Sequence, residues 1–250
     1  MPVSAELVHY AVADGVATIT LDSPHNRNAL SRQLMTELLE RLERAAEDED
    51  AKVVLLTSSG RVFCSGADLS EAASGAAEDG PRAIVGLQRA IVAHPKPVVV
   101  QLAGPVRAGG IGIVAAADIV VAGQDADFAL TEVKLGLTPA AISLTVLPRL
   151  SSRAAAYTFL TGEKFGADAA ADFGLVTTVV PADRLDAEVA RVCASVATGA
   201  PQGLRETKAL LGRGLLEGID AGADDMATLS ARLFASEEAR EAMVAFLSRK

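Results

Sequence analysis

The sequence predicts an α/β protein with a mainly parallel sheet and a helical C-terminal part. In the first half, short continuous apolar runs alternate with segments of helical periodicity, a pattern typical of parallel strands covered by helices. From about Pro139 onward, the segments are mainly helical. With 250 residues, 50% of them hydrophobic, the chain is long enough for one well-filled domain.

Charge and cysteine content exclude several classes of protein. The net charge of -9 argues against a nucleic-acid surface but allows an anionic small ligand held by a few local cations. Cys64 and Cys193 are too few for a disulfide framework or a zinc cluster, so we expect a cytoplasmic protein without a metal. The N-terminus lacks a signal-peptide pattern. Gly112 and Asp118 interrupt the longest apolar run, so no membrane span is expected.

The predicted elements follow in order. Residues 7–12 and 16–21 form a hairpin around Asp14-Gly15, which is a strong turn signal. Ser31 is a candidate N-cap for a helix with apolar residues at helical spacing. Further strands are expected at 53–57, 98–102, 119–122 and 175–180, with helices at about 82–93 and up to residue 117. Residues 71–82 are polar, rich in Ala and Gly and aperiodic, and they predict a mobile loop.

Two predicted strands are followed by turns of small residues, at 65–67 and at 108–112. Small residues let a ligand approach the backbone, and a helix that starts there directs free N–H groups outward. Two such groups converging on one point would form an oxyanion hole. From spacing alone, ordinary tight turns are the favoured interpretation of these glycines.

Three blocks resemble one family. Residues 60–69 read GRVFCSGADL, residues 104–118 read GPVRAGGIGIVAAAD, and residues 128–139 read FALTEVKLGLTP. They resemble, in the right order, the motifs of the enoyl-CoA hydratase/isomerase (crotonase) family, and weaker matches at 24–30, 160–175 and 236–247 extend the resemblance over nearly the whole chain. It implies a crotonase-type ββα spiral core (1–195) and a helical C-terminal region (196–250) used for oligomerisation and as an active-site cover.

The resemblance also implies roles for individual residues. The amides of Ala67 and Gly109 would form the oxyanion hole for a thioester oxygen, and Glu132 would be a catalytic glutamate. Coenzyme A would arrive with the acyl-CoA substrate, so no separate cofactor is expected. Its binding residues would be Arg27, Ala29, Ala67, Asp68, Leu69, Ser70 and Gly110.

The main departure from the family pattern is Gly112, which stands where hydratases have a second catalytic glutamate. Hydration of a 2-enoyl-CoA is the first prediction, and 3,2-enoyl-CoA isomerisation through Glu132 alone is the second. A non-catalytic acyl-CoA-binding protein is a third reading. Glu71, Glu78 and Asp79 are candidate replacement acids on the predicted loop.

Arg107 is unusual at its position and could bind a substrate carboxylate through its donor fork, or point away from the pocket. Asp118 and Asp68 are expected to have structural roles. A serine hydrolase is not favoured because His9, His25 and His94 have no evident acidic partner. The resemblance further implies a homotrimer or a dimer of trimers.

Overall fold

A computed structural model describes residues 5–68, 70–71 and 80–247. Its described strands form a six-stranded sheet in the order 8–13, 16–21, 53–58, 98–102, 119–123 and 178–180, and a smaller sheet in the order 106–107, 127–129 and 165–166. The α/β class is confirmed. Apart from the antiparallel hairpin of the first two strands, the strands of the larger sheet pair in parallel.

The strands have the following bounds: β1 Val8–Ala13, β2 Val16–Leu21, β3 Val53–Ser58, β4 Val98–Leu102, β5 Val106–Arg107, β6 Ile119–Gly123, β7 Asp127–Ala129, β8 Phe165–Gly166 and β9 Thr178–Val180. The described α-helices are α1 Arg32–Glu47, α2 Gly80–Ala93, α3 Gly109–Ala116, α4 Ala140–Val146, α5 Ser152–Thr161, α6 Ala167–Phe173, α7 Leu185–Ala197, α8 Pro201–Phe234 and α9 Glu237–Leu247. Short 3-10 helices span Pro24–Asn26, Thr131–Leu135 and Ala182–Arg184.

Local sequence signals explain the first elements. Asp14 and Gly15 both have positive φ, at 51° and 80°, as the two central residues of a tight hairpin turn require. The Ser31 side chain accepts a hydrogen bond from the amide of Leu34, so the predicted N-cap of α1 is confirmed. Helix α2 begins at Gly80, two residues before the predicted start, and residues 72–79 of the predicted loop lie outside the described residues.

The smaller sheet was not predicted from the sequence, and the region after Pro139 is therefore less purely helical than expected. Strands β5 and β8 have two residues each and β7 has three, so none is long enough to show an alternating pattern. The rings of Phe128 and Phe165 stack at 5.5 Å on one face of this sheet. The sheet places Arg107 and Ala129 side by side, directly before the segments that form the cavity described below.

Helix α3 is buried along its whole length, and the long helix α8 packs against α2 and α4. Ile219 of α8 belongs to the main core cluster, so the C-terminal region shares its hydrophobic core with the sheet. Lys208, also on α8, is buried, and its Nζ atom lies 2.5 Å from Oδ2 of Asp118. Asp118 also accepts the amide of Val98 at 2.7 Å, which is the structural role expected for it.

Within the described part of the chain, no helix is both long enough and apolar enough to cross a bilayer.

Candidate active site

A cavity of about 620 Å³ lies beside the first turn of α3 and the 3-10 helix Thr131–Leu135. Ala67, Gly109 and Glu132 all line it, although they come from three separate segments. A smaller cavity of about 70 Å³ adjoins it and shares Ala67 and Asp68 with it. The larger cavity therefore brings together the three residues for which the sequence predicts a catalytic role.

The turns at Ala67 and Gly109 approach each other closely. A Cβ atom on Gly66 would lie 2.8 Å from Cβ of Ala108 and 3.7 Å from the amide nitrogen of Gly109. A Cβ atom on Gly109 would lie 3.8 Å from the amide nitrogen of Ala67. Gly66 also has φ +92°, which disfavours any other residue. Glycines at these positions therefore let two backbone amides lie side by side at the cavity wall.

The conformation of Ala108 directs the amide of Gly109. Ala108 has φ 45° and ψ -120°, a backbone conformation that residues other than glycine rarely adopt. Its own N–H donates to the carbonyl oxygen of Ala129 at 3.2 Å, which fixes the turn against β7. Gly109 is the first residue of α3, so its N–H has no acceptor within the helix. That amide is available to a ligand oxygen.

The loop before α1 forms another part of the wall. The amide of Leu30 donates to the carbonyl oxygen of Gly66 at 2.8 Å, and the amide of Ser65 donates to the carbonyl oxygen of Arg27 at 3.1 Å. Arg27 and Asn28 have positive φ values of 59° and 54°. The buried Asn28 side chain accepts the amide of Ser23 and donates to the carbonyl of Val62, which stabilises this conformation. The exposed Arg27 side chain thus stands at the cavity rim.

Glu132 is the carboxyl group of the cavity with the most perturbed titration. Its Oε2 atom is buried without a hydrogen-bond partner among the described residues. Burial raises the pKa of Glu132 from 4.5 to about 7, and a hydrogen bond from its own backbone offsets only part of that effect. A carboxyl with a pKa near neutrality can both accept and donate a proton at physiological pH.

Among the described residues, no carboxylate lies at the place expected for a second glutamate. A Cβ atom on Gly112 would lie 2.6 Å from Cγ2 of Ile142 and 2.9 Å from Oε1 of Gln88. Gln88 is itself fully engaged, since it donates to the carbonyls of Ile84 and Ala141 and accepts from Thr145. Apolar and neutral side chains therefore fill this space.

Asp68 lines the cavity but is committed to its own turn. Burial by itself would raise the pKa of Asp68, but hydrogen bonds from Ser70, Glu71 and Asn26 hold it below its ordinary value. Oδ1 accepts the amide and the hydroxyl of Ser70, while Oδ2 accepts Nδ2 of Asn26. This is the structural role expected for Asp68.

Arg107 lines the cavity, yet its guanidinium group is already paired. Nη1 donates to the carbonyls of Val106 and Asp127 at 2.9 and 2.8 Å, and Nη2 forms an ion pair with the Asp127 carboxylate. Only 18% of the side chain is exposed. The hypothesis that Arg107 binds a substrate carboxylate would require this arrangement to break.

Most of the residues predicted to bind coenzyme A line the cavity, namely Arg27, Ala29, Ala67, Asp68 and Ser70. Gly110 does not: a Cβ atom there would lie 2.7 Å from Cβ of Cys64, so this glycine faces the core. Leu69 lies outside the described residues, as do Glu78 and Asp79. Lys164 and Ser230 also line the cavity, but they carry no motif signal and were not predicted.

The expectation that the histidines lack acidic partners was wrong for His9. Its Nε2 atom lies 2.8 Å from Oδ2 of Asp22, because the paired strands β1 and β2 bring the two residues together. Ser59 also bonds to Asp22, through the other carboxylate oxygen. Because the serine hydroxyl contacts the carboxylate and not the imidazole, this group does not have the arrangement of a catalytic triad.

Comparisons with known proteins agree with the fold and with the motif order. The sequence profile of the enoyl-CoA hydratase/isomerase family matches residues 11–250. The chain is 34% identical over 254 residues to a probable enoyl-CoA hydratase of Rhodobacter capsulatus, covering 99% of this chain and 97% of that protein.

Solved structures agree as well. An enoyl-CoA hydratase from Mycobacterium avium has a TM-score of 0.92 and 47% identity, with 98% of each chain covered. An enoyl-CoA hydratase/isomerase from Pseudoalteromonas atlantica T6c has a TM-score of 0.89 and 30% identity, again covering 98% of each chain. The chain belongs to the enoyl-CoA hydratase/isomerase family, which acts on acyl-CoA thioesters, and it has the crotonase fold.

Proposed function

We propose that the protein adds water to a 2-enoyl-CoA to give a 3-hydroxyacyl-CoA. The observation that carries this proposal is Glu132, a carboxyl with a partnerless buried oxygen and a pKa of about 7, on the same cavity as Ala67 and Gly109. Addition of water to a conjugated thioester needs a group that removes a proton from water and delivers one to carbon. A carboxyl that titrates near neutrality can perform both transfers.

In this reaction, the amides of Ala67 and Gly109 hold the thioester oxygen. As water adds to C3, the electrons of the C2=C3 bond move toward the carbonyl, and negative charge develops on the thioester oxygen. Two fixed N–H donors stabilise that charge, and loss of one such donor typically costs about 2.7–4 kcal/mol of barrier. Glu132 accepts a proton from the water and then donates it to C2, which completes the addition.

Coenzyme A would lie along the wall formed by the loop at Arg27 and Ala29 and by the turn at Ala67 to Ser70. Arg27 supports this placement, because it is exposed at the rim and has a donor fork suited to phosphate. Asp68 would contribute through its backbone, since its carboxylate is occupied by Ser70 and Asn26. The thioester would then reach the two amides from this side.

Isomerisation of a 3-enoyl-CoA is the second candidate. The space around Gly112 is filled by Ile142 and Gln88, so none of the described residues places a second carboxyl there. A single carboxylate is sufficient to remove a proton from C2 and return it to C4, with the same enolate as intermediate. The two reactions therefore differ in whether water has a binding position beside C3.

The test is a spectrophotometric assay with crotonyl-CoA and a 3-enoyl-CoA offered in parallel to wild type and to Glu132→Gln. Loss of the conjugated-thioester absorbance from crotonyl-CoA, abolished in the variant, is the expected result. Glu163→Gln is the matched control, since Glu163 is exposed and bonds to Tyr157 outside the cavity. A gain of absorbance from the 3-enoyl substrate alone would establish the isomerase. Silence with both substrates and retained acyl-CoA binding would favour the non-catalytic binding protein.

A homotrimer or dimer of trimers stays a prediction for this chain. Multi-angle light scattering of the purified protein would measure it directly.

A further inference from the structure

Ser230 is a buried residue whose side chain lines the cavity and has no hydrogen-bond partner among the described residues. It lies on α8, one turn before the helix ends at Phe234, and only 6% of the residue is exposed. A helical serine commonly donates to the carbonyl four residues earlier, but within the described part of the chain its hydroxyl forms no hydrogen bond. A hydroxyl that opens onto a cavity and has no protein partner is free to bind a water or a ligand atom.

Ser230 lines both the larger and the smaller cavity, so its hydroxyl has space in front of it. Apart from Glu132 and the half-buried Thr131, several other polar groups of the wall are committed or solvated. Ser65 donates to the carbonyl of Asn26, and Arg107 is paired with Asp127. Thr138 and Lys164 are exposed to solvent. Among the described wall residues, Ser230 is thus the neutral side chain that is both deeply buried and unpartnered.

The end of α8 lies close to the segment that carries Glu132. Leu233 and Phe234 pack against the cluster of Leu135, Leu137 and Ala239. Leu135 belongs to the same 3-10 helix as Glu132. Residues four apart on a helix project from the same face, so Ser230 shares the face of Phe234, which also lines both cavities. The partnerless carboxylate oxygen of Glu132 and the unpaired hydroxyl of Ser230 therefore line the same cavity.

We propose that the Ser230 hydroxyl holds the water that adds to C3, in place of the carboxylate that Gly112 cannot provide. The inference rests on the proposed hydration. The water donates one hydrogen to Ser230 Oγ and its other hydrogen to Glu132, and its oxygen lone pair forms the bond to C3. The enolate oxygen is held by Ala67 and Gly109, and C2 then takes the proton from Glu132. Ser230 neither gains nor loses a proton, so it is a positioning residue.

The test separates water addition from enolate formation. Hydration of crotonyl-CoA needs the positioned water, whereas exchange of the C2 protons of butyryl-CoA in deuterium oxide needs only Glu132 and the two amides. Ser230→Ala should lower kcat for hydration about 10- to 100-fold, because a misplaced reactant costs up to this order. KM and the exchange rate should stay within about twofold of wild type, because substrate binding and enolate formation do not use the positioned water.

Ser230→Thr restores a hydroxyl and should recover most of the hydration rate. Ser195→Ala, which removes an exposed serine from α7, is the control for a neutral helical substitution. A Ser230→Ala enzyme that hydrates crotonyl-CoA as fast as wild type would overturn the role of Ser230 but not the proposed hydration. So would an equal loss of hydration and exchange, or a rise in KM at unchanged kcat, since these would mean that Ser230 shapes the site or binds the acyl group. A wild-type protein that exchanges C2 protons but adds no water would overturn the proposed hydration as well.

Discussion

Ile142 occupies the volume into which a side chain at Gly112 would extend, with only 2.6 Å between its Cγ2 atom and a Cβ atom on Gly112. The absence of a second carboxylate is thus built into the packing around α3. Restoring the residue that hydratases carry there would require α4 to be repacked as well.

Gly112→Glu should therefore destabilise the protein and should not raise its hydration rate. Overpacking of this kind costs about 1–3 kcal/mol. Combining it with Ile142→Ala should cost less than the sum of the two single changes, because the smaller side chain frees the volume. Urea denaturation of wild type, the two single variants and the double variant measures the coupling free energy between the two changes. A Gly112→Glu protein as stable as wild type would contradict the packing argument.

Glu132 should make stability depend on pH. Its pKa is about 7 in the folded protein and near 4.5 when unfolded, so the folded state binds more protons between these values. Stability should therefore fall as pH rises from about 4.5 to about 7 and level off above it, by about 3–4 kcal/mol in total. Glu132→Gln should remove this dependence and be more stable than wild type at pH 8. The measurement is the denaturant midpoint of each protein at pH 5 and at pH 8. If the midpoint changed equally with pH in wild type and in Glu132→Gln, Glu132 would not be the source of the pH dependence.

The same carboxyl should control the rate. Proton removal needs the ionised form of Glu132, so kcat/KM of wild type should fall tenfold per pH unit well below about pH 7. Glu132→Gln should lose about 100-fold or more of the activity at every pH, which is the usual size of an acid–base contribution. A wild-type profile that stays flat from pH 5 to pH 8 would show that another group accepts the proton.

The order of motifs in the sequence was sufficient to predict the fold. It also singled out Ala67, Gly109 and Glu132, which line one cavity in the structure. The short strands β5, β7 and β8 could not be predicted from the sequence, because they are formed by pairing between distant segments and show no local alternation of apolar and polar residues. Ser230 was missed for a related reason. A single serine in a long helix has no local signal, and only the packing of α8 shows that it faces the cavity. The pairing of Arg107 with Asp127 likewise depends on β7 lying beside β5.

Relief of backbone strain at Ala108 should stabilise the protein. Its positive φ, with ψ near -120°, costs about 1–3 kcal/mol for a residue other than glycine. Glycine loses more chain entropy on folding, by about 0.5–1 kcal/mol. Ala108→Gly should therefore be neutral or up to about 2 kcal/mol more stable as the balance of these two effects. Ala116→Gly, at the other end of α3, is the control and should be destabilising. If both changes destabilise the protein equally, Ala108 is not strained.

The buried ion pair between Lys208 and Asp118 should be essential for stability. Lys208→Met leaves the Asp118 carboxylate without its cation, and breaking one partner of a buried pair costs about 3–5 kcal/mol. Arg191→Met, which breaks the exposed pair with Glu188, should cost less than about 1 kcal/mol. Thermal unfolding of the two variants compares them directly. Similar losses in both would show that the Lys208 pair is no stronger than a surface one.

Part of the wall of the larger cavity is formed by Ser230 and Phe234, which belong to the last turns of α8. During synthesis, the sheet and the earlier helices emerge long before these turns do. Until α8 docks, the surroundings of Glu132 stay open to water and the low-dielectric environment that shifts its titration is incomplete. The titration of Glu132 therefore depends on α8 being in place, and a bound acyl-CoA would favour the fully folded chain over every partly folded form by mass action.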